Sequence, residues 1–323
     1  MSAEGGSKAI LAALAANLGI AVAKFIGFAL TGASSMLAEG VHSVADTANQ
    51  GLLLLGRKRA ERTATPEHPF GYGRNRFFYA FVVALLLFTM GSVFAIYEGI
   101  EKLGRPEDLS SPIIAIAILV VAVCLEGYSF FTAVGESKKT KGRRSWWLFI
   151  RQAKAPELPV VLLEDFGALI GLGLALLGVG LTLLTGNPVW DAIGTLCIGT
   201  LLGIIAVVLV IEMKSLLIGE GALPTEVNKI VDALEAGHHV VRVIHIKTQY
   251  LGPEELLIAA KIALTPRMPV EQVAREIDEA EARVRAQVPI ARQIYLEPDL
   301  DRSAASEPGN QIDREGEAVA QDS

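Results

Sequence analysis

Six long apolar runs dominate the first two thirds of this 323-residue chain. A helix needs about 20 mostly apolar residues to cross the hydrocarbon core of a bilayer. Hydrophobic residues make up 51% of the chain, which is typical of a membrane protein with a soluble appendage. The sequence therefore predicts an all-α domain of six transmembrane helices, over about 8–30, 34–56, 77–98, 112–134, 159–184 and 189–212.

Basic residues are concentrated in two of the five connections between these predicted helices. Six lysines and arginines lie in 57–76 and seven lie in 138–154, whereas the other connections are short or nearly balanced in charge. The positive-inside rule then places both loops, and both termini, in the cytoplasm. The first run shows no cleavage site of a signal peptide, so we expect it to stay as a membrane helix, in a bacterial inner (plasma) membrane.

The hydrophobic period changes after residue 218. Residues 225–237 and "VEQVAREIDEAEARVRAQV" have the pattern of amphipathic helices. The segments "VVRVIHIKTQYLG", "ELLIAAKIALT" and "ARQIYLEP" have that of strands, the first two joined by a turn at Gly252 and Pro253. The order αββαβ predicts a small α+β sandwich. We therefore expect a transmembrane domain over 1–218, an α+β domain over 219–299, and a disordered acidic tail over 300–323.

Charge and cysteine usage exclude some classes of protein. The net charge is −6, largely from the acidic C-terminal portion, and no basic patch suggests binding to nucleic acid. Cys124 and Cys197 both fall in apolar runs, with neither metal-ligand spacing nor the pattern of a disulfide framework. We expect both to be small buried hydrophobic residues.

The second predicted helix carries an ionisable stripe. Glu39, His42 and Asp46 lie at positions i, i+3 and i+7, so all three project from one face. Ionisable side chains inside a membrane are costly and usually mark an ion or proton pathway. His42 and Asp46, one turn apart, form the local geometry of a divalent-metal ligand pair. The residues leave open a hydrogen-bonded pair that only supports helix packing.

Further carboxylates must come from other helices, because one helix cannot close a tetrahedral site. The fifth predicted helix offers Glu164 and Asp165, which as neighbours diverge by about 100° and seldom reach one point. Glu126 in the fourth predicted helix is open as a ligand, a proton relay or a partner of another polar group. Asn49 favours a helix–helix contact over ligation.

Several strings, in order along 8–298, resemble the cation diffusion facilitator family. They are "AEGVHSVADTANQ", "HPFGYGRNRFF", "EGYSF", "LLEDFGALIG", "TGNPVWDAIGTLCIGTLLG" and "SLLIGEG". Together they are similar to the branch typified by human zinc transporter 9. This resemblance implies a homodimeric antiporter that exports a divalent metal, most simply zinc, in exchange for protons, with a ferredoxin-like cytoplasmic dimerisation domain.

The resemblance also implies a ligand set. His42 and Asp46 match the family's ligands in the second span, and Asp165 matches the second ligand of the fifth span. The first ligand of that span falls on Val161, so Glu164 or a water is expected to replace it. In the loop string, His68 is retained but Tyr72 replaces the second histidine, which favours a structural turn.

The cytoplasmic domain keeps fewer of the family's ligating positions. His245 and Glu297 match positions that usually ligate metal, whereas Ala260 and Tyr295 cannot. Metal sensing by this domain is therefore disfavoured, while dimerisation through it is expected from the resemblance.

These residues predict transport rather than catalysis. We expect no enzymatic activity and no cofactor, with the divalent metal as transported substrate and the bilayer, protons and a second copy of the chain as partners. Metal and protons would compete for the same groups, since ligands must lose protons to bind metal. The alternative is a non-transporting membrane scaffold or metal sensor acting through its cytoplasmic domain. An intramembrane protease and a passive channel are disfavoured.

Overall fold

The computed structural model describes residues 3–105 and 112–301, with side chains from residue 17 onward except 112, 139 and 140. The chain divides into two compact units between Ile218 and Gly219. The predicted acidic tail lies outside the described residues, apart from its first two positions.

The first unit is helical. Two of its helices, α3 and α4, are joined by a π-helical segment, Leu87–Val93, into one continuous helix, Asn75–Gly104. The helices are α1 Ala3–Thr31, α2 Ser34–Ala60, α3 Asn75–Leu86, α4 Phe94–Gly104, α5 Pro112–Lys141, α6 Trp146–Gln152, α7 Glu157–Thr185 and α8 Val189–Ile218.

Four helices of the described residues are long and apolar enough to cross a membrane: Asn75–Gly104, Ile113–Lys138, Glu157–Thr185 and Val189–Ile218. Helix α2 has the length but carries the ionisable stripe and a basic last turn. In α1 only the shorter apolar stretch Asn17–Thr31 has described side chains. The helical membrane domain is confirmed, while the count of six spans stays a prediction.

Asp191, in the first turn of α8, fixes the start of α2. Its Oδ2 accepts hydrogen bonds from the Ser34 backbone N–H and hydroxyl, both at 2.8 Å, and its Oδ1 accepts one from the Ser35 hydroxyl. The first N–H groups of a helix have no intrahelical partner and favour a nearby anion. This buried carboxylate therefore ties α2, and its polar stripe, to α8.

Two features of this unit differ from the sequence prediction. Helix α6 lies in the basic connection 138–154; the Ser145 hydroxyl caps it by accepting from the Leu148 N–H at 3.1 Å, and Phe149 and Ile150 are buried against α5 and α7. The predicted burial of Cys124 and Cys197 is wrong, because both thiols are exposed on the surface of the unit. An apolar run in a membrane helix does not imply burial in protein, since lipid also solvates apolar side chains.

The second unit has the predicted αββαβ order: α9 Pro224–Glu235, β1 Val240–Gly252, β2 Glu255–Leu264, α10 Val270–Gln287 and β3 Ala291–Asp299. Strand β2 is central, antiparallel to β1 and parallel to β3. Tyr250 joins β1 to α9 through a 2.7 Å hydrogen bond from its hydroxyl to Glu226. Burial, with the Glu226 carboxylate beside it, raises the pKa of the Tyr250 phenol.

We expect Asp191→Asn to lower the midpoint of thermal unfolding of the protein in detergent. The substitution removes the charge that strengthens three hydrogen bonds at the start of α2, and weakening such buried bonds costs about 1–3 kcal/mol. Thr200→Val on the same helix is the control, because the Thr200 hydroxyl is exposed and bonds only its own helix at Leu196. Equal midpoints for the two variants would contradict the role of Asp191.

Candidate metal site

The ionisable stripe of α2 is buried inside the helical unit. The exposed fraction is 0% for Glu39, 1% for His42, 9% for Asp46 and 0% for Asn49. Helix α2 packs mainly against α1 and α3 and also contacts α7 and the π-helical segment. The stripe thus faces protein rather than the outer surface of the unit.

His42 and Asp46 lie together without a hydrogen bond. Nε2 of His42 is 3.6 Å from Oδ2 of Asp46, which is too long for one. Among the described residues, neither ring nitrogen of His42 nor Oδ1 of Asp46 has a hydrogen-bond partner, although all three atoms are buried. Buried polar atoms are nearly always paired. These atoms therefore indicate a place for a ligand and do not support a hydrogen-bonded packing pair.

The π-helical segment lies beside the His42 ring. A Cβ atom added at Gly91 would be 3.8 Å from Nδ1 of His42, so the glycine backbone approaches the imidazole closely. Single π-helical turns inside α-helices are frequent at functional sites. Gly91 also packs against Leu202 of α8, which makes this segment a wall of the site.

The two carboxylates of α7 point to different helices. Oε1 of Glu164 accepts a 2.7 Å hydrogen bond from the Asn49 amide of α2. Oδ2 of Asp165 accepts a 2.9 Å hydrogen bond from the Ser129 hydroxyl of α5. This is the divergence expected of adjacent helical residues. The interpretation of Asn49 as a helix–helix contact is confirmed.

The predicted ligands do not form one complete set in this conformation. Within the described ranges, no group of three or more His, Cys, Asp or Glu side chains is arranged to hold a metal ion. His42 and Asp46 are paired on α2, whereas Glu164 and Asp165 each bond a protein partner. The ligand set His42, Asp46, Glu164 and Asp165 stays a prediction.

Sequence reasoning missed Lys24 of α1. Its ammonium lies 3.1 Å from Oε2 of Glu39 and donates a 2.8 Å hydrogen bond to the Ser43 hydroxyl. The Lys24 and Glu39 side chains are both fully buried. The available signal was Lys24 itself, the one charged residue of the apolar run 10–31. A charge inside a span calls for a partner in the bundle.

Glu39 also lies against α7. A Cβ atom added at Gly171 would be only 2.6 Å from Oε1 of Glu39. Since real Cβ atoms do not approach so closely, glycine is required at this position for the observed placement of the carboxylate. Oε1 has no hydrogen-bond partner among the described residues.

The loop string "HPFGYG" forms a turn. Thr65 and His68 exchange backbone hydrogen bonds of 3.2 and 3.0 Å, and the Tyr72 hydroxyl lies 3.2 Å from that of Thr65. The rings of His68 and Tyr72 lie 4.6 Å apart between centroids. His68 is thus part of the turn, as the sequence predicted.

In the second unit the candidate ligand Glu297 forms an ion pair. The Lys261 ammonium lies 2.9 Å from Glu297 and 3.5 Å from Asp299. The hydrogen bond to Glu297 raises the pKa of Lys261. His245 is paired in register with Lys261 across β1 and β2. A lysine at this position opposes a cation site on Glu297.

Comparison with known families covers most of the chain. The family model for the cation efflux transmembrane domain matches residues 10–218, and that for the cytoplasmic domain of cation efflux proteins matches residues 223–299.

Relatives from several kingdoms match the same region. The mouse protein named proton-coupled zinc antiporter SLC30A9, mitochondrial, is 31% identical over 82% of this chain and 47% of its own length. Metal tolerance protein C4 of Arabidopsis thaliana is 29% identical over 82% of this chain and 58% of its own length. Zinc transporter ZitB of Pectobacterium atrosepticum is 33% identical over 37% of this chain and 36% of its own length. The chain spans about half the length of the SLC30A9 relatives it matches.

Among solved structures, the MamM CTD in a nickel form aligns with a TM-score of 0.24 at 23% identity. It covers 24% of this chain and 99% of its own.

We expect Gly171→Ala to lower the midpoint of thermal unfolding, because the new methyl group must displace the Glu39 carboxylate that Lys24 holds. Overpacking of this kind costs about 1–3 kcal/mol. Gly173→Ala is the matched control two residues away, since a Cβ there meets no atom within 4 Å. A Gly171→Ala midpoint at or above that of Gly173→Ala would show that Glu39 does not lie against α7.

Proposed function

From the premise that the chain belongs to the cation efflux family, we propose that it exports a divalent metal cation, zinc, from the cytoplasm in exchange for protons. The observation that carries this proposal is the buried pair His42 and Asp46. Both ring nitrogens of His42 and Oδ1 of Asp46 are buried in the helical unit and have no hydrogen-bond partner in the described part of the chain. The metal is the transported substrate.

The donor types support zinc. One imidazole nitrogen with carboxylate oxygens is a common ligand set for zinc, whereas oxygen-only sets favour magnesium, calcium or manganese. In the proposed site Glu164 and Asp165 complete the set with His42 and Asp46. The metal then replaces the hydrogen bonds that these two carboxylates accept from Asn49 and Ser129. Glu164 supplies the oxygen that Val161 cannot.

Binding of one metal ion by ligands from both α2 and α7 is compatible with alternating access. In the present conformation α7 divides its carboxylates between α2 and α5, so both must leave these partners to reach one metal ion. A site whose ligands come together only around the ion can close over it and open elsewhere.

Proton coupling follows from the same groups. Imidazole titrates near neutral pH, and a nitrogen or carboxylate must be deprotonated before it binds metal. When the site opens to the side opposite the cytoplasm, protons bind the ligands and displace the metal. When the site opens again to the cytoplasm, the protonated ligands release those protons there.

The names of the relatives support zinc as the metal and protons as the exchanged ion. Relatives that are 31% identical over 82% of the chain are named proton-coupled zinc antiporters, and the one from Pectobacterium is named a zinc transporter. We propose that both termini lie in the cytoplasm, on the basis of the basic connections 57–76 and 138–154. The bacterial inner (plasma) membrane stays a prediction, and the SLC30A9 relatives are named mitochondrial. The unit that matches the family's cytoplasmic domain is proposed to join two copies into a homodimer.

We expect His42→Ala and Asp46→Ala to abolish zinc-driven proton movement in proteoliposomes, because each removes one of the two proposed metal ligands on α2. Zinc uptake and internal pH are measured together under an imposed pH gradient. Thr47→Ala is the matched control on the same helix. Among the described residues the Thr47 hydroxyl bonds the Ser43 carbonyl of its own helix, so transport should stay near the wild-type rate.

Native exchange rates in both variants would contradict the proposed site. A wild-type protein that binds zinc but exchanges none would instead favour the scaffold or metal sensor acting through its cytoplasmic domain.

A further inference from the structure

Lys24 is a fully buried ammonium group within reach of the proposed site. Its two partners, Glu39 and Ser43, lie on either side of His42 along α2. Neither the family premise nor the ligand set assigns a role to this lysine.

Burial makes the ion pair of Lys24 and Glu39 more than an incidental contact. Removing one member of a buried pair leaves an uncompensated charge in a medium that solvates it poorly. Within a membrane segment the carboxylate of Glu39 then needs another cation or a proton. Lys24 is thus the cation that satisfies Glu39 when no metal is near.

Glu39 has the position of an additional ligand. It precedes His42 by three residues, so its side chain projects from the same face of α2 one turn away. One oxygen, Oε2, bonds Lys24, while Oε1 is buried without a hydrogen-bond partner among the described residues. A carboxylate with a free buried oxygen, next to a cation site, joins that site unless something holds it away.

Two contacts hold the Glu39 carboxylate away from the proposed metal site. Lys24 draws the carboxylate toward α1, and the space above Gly171 accepts its other oxygen on the α7 side. The Lys24 ammonium is itself fixed by the second hydrogen bond, to Ser43. The carboxylate is therefore held between Lys24 of α1 and Gly171 of α7.

We propose that Lys24 is a positioning residue for metal specificity: by holding Glu39, it keeps a further carboxylate out of the ligand set and so favours zinc over manganese. This inference rests on the proposed function. Each added oxygen ligand shifts a mixed nitrogen and oxygen site toward cations that prefer oxygen, of which Mn²⁺ is one. Lys24 acts through Glu39 and does not touch the metal.

The test is the ratio of Zn²⁺ to Mn²⁺ transport by the full chain in proteoliposomes. We expect Lys24→Met to lower this ratio about 10-fold, the scale on which outer-shell partners change metal affinity. Lys24→Arg, which keeps the cation, should retain the wild-type ratio. Lys24→Met combined with Glu39→Gln should restore it, because the released carboxylate is then absent.

Lys24→Leu is a second variant in case Lys24→Met does not fold. Its side chain neither donates a hydrogen bond to Glu39 or Ser43 nor carries a charge, so the ratio should fall in the same direction. Loss of folding alone would lower transport of both metals equally and leave the ratio unchanged.

An unchanged ratio in the folded Lys24→Leu or Lys24→Met protein, with zinc transport in the wild type intact, overturns the role of Lys24 and leaves the proposed function standing. A ratio that stays low in the double variant also overturns it, since Glu39 would not be the group released. A wild type that transports neither metal contradicts the proposed function itself.

Discussion

The burial of charged and polar groups on one face of α2 is the constraint on which the helical unit depends. Lipid cannot solvate Glu39, His42, Asp46 and Asn49, so other helices must cover this face. Helix α1 supplies Lys24, which pairs with Glu39, and α7 supplies Glu164, which accepts a hydrogen bond from Asn49. The π-helical segment places the Gly91 backbone beside the His42 ring. Asp191 fixes the start of α2 so that the stripe stays in register with these neighbours.

The polar side chains of the α2 stripe differ in whether they have hydrogen-bond partners. Glu39 and Asn49, at its two ends, have strong partners on α1 and α7. His42, between them, has no hydrogen bond at either nitrogen in the described part of the chain, and Asp46 beside it leaves one oxygen unpaired. Glu39 and Asn49 also each leave one oxygen unpaired among the described residues, but the His42 imidazole lacks a partner at both nitrogens, which suits it to a transient cation. The same arrangement makes Lys24 a determinant of which carboxylates can reach that cation.

Much of this organisation could be predicted from the sequence. The period of 3.6 placed Glu39, His42 and Asp46 on one face, and the change of period after residue 218 gave the order of helices and strands in the second unit. Helix α6 was missed because seven residues are too few for a periodic signal. The partners of Glu164 and Asp165 depend on how α2 and α5 pack around α7, and a single sequence does not specify that packing. Lys24 was visible as a lone charge, but its partner was not.

Zinc K-edge X-ray absorption on the full chain, loaded with one equivalent of Zn²⁺, tests whether His42 binds the metal. We expect one imidazole nitrogen and otherwise oxygen ligands at about 2.0 Å, with no sulfur, and loss of the imidazole signal in His42→Ala. The chain has five histidines, so an imidazole signal that persists unchanged in His42→Ala would place the metal on another histidine and contradict the assignment.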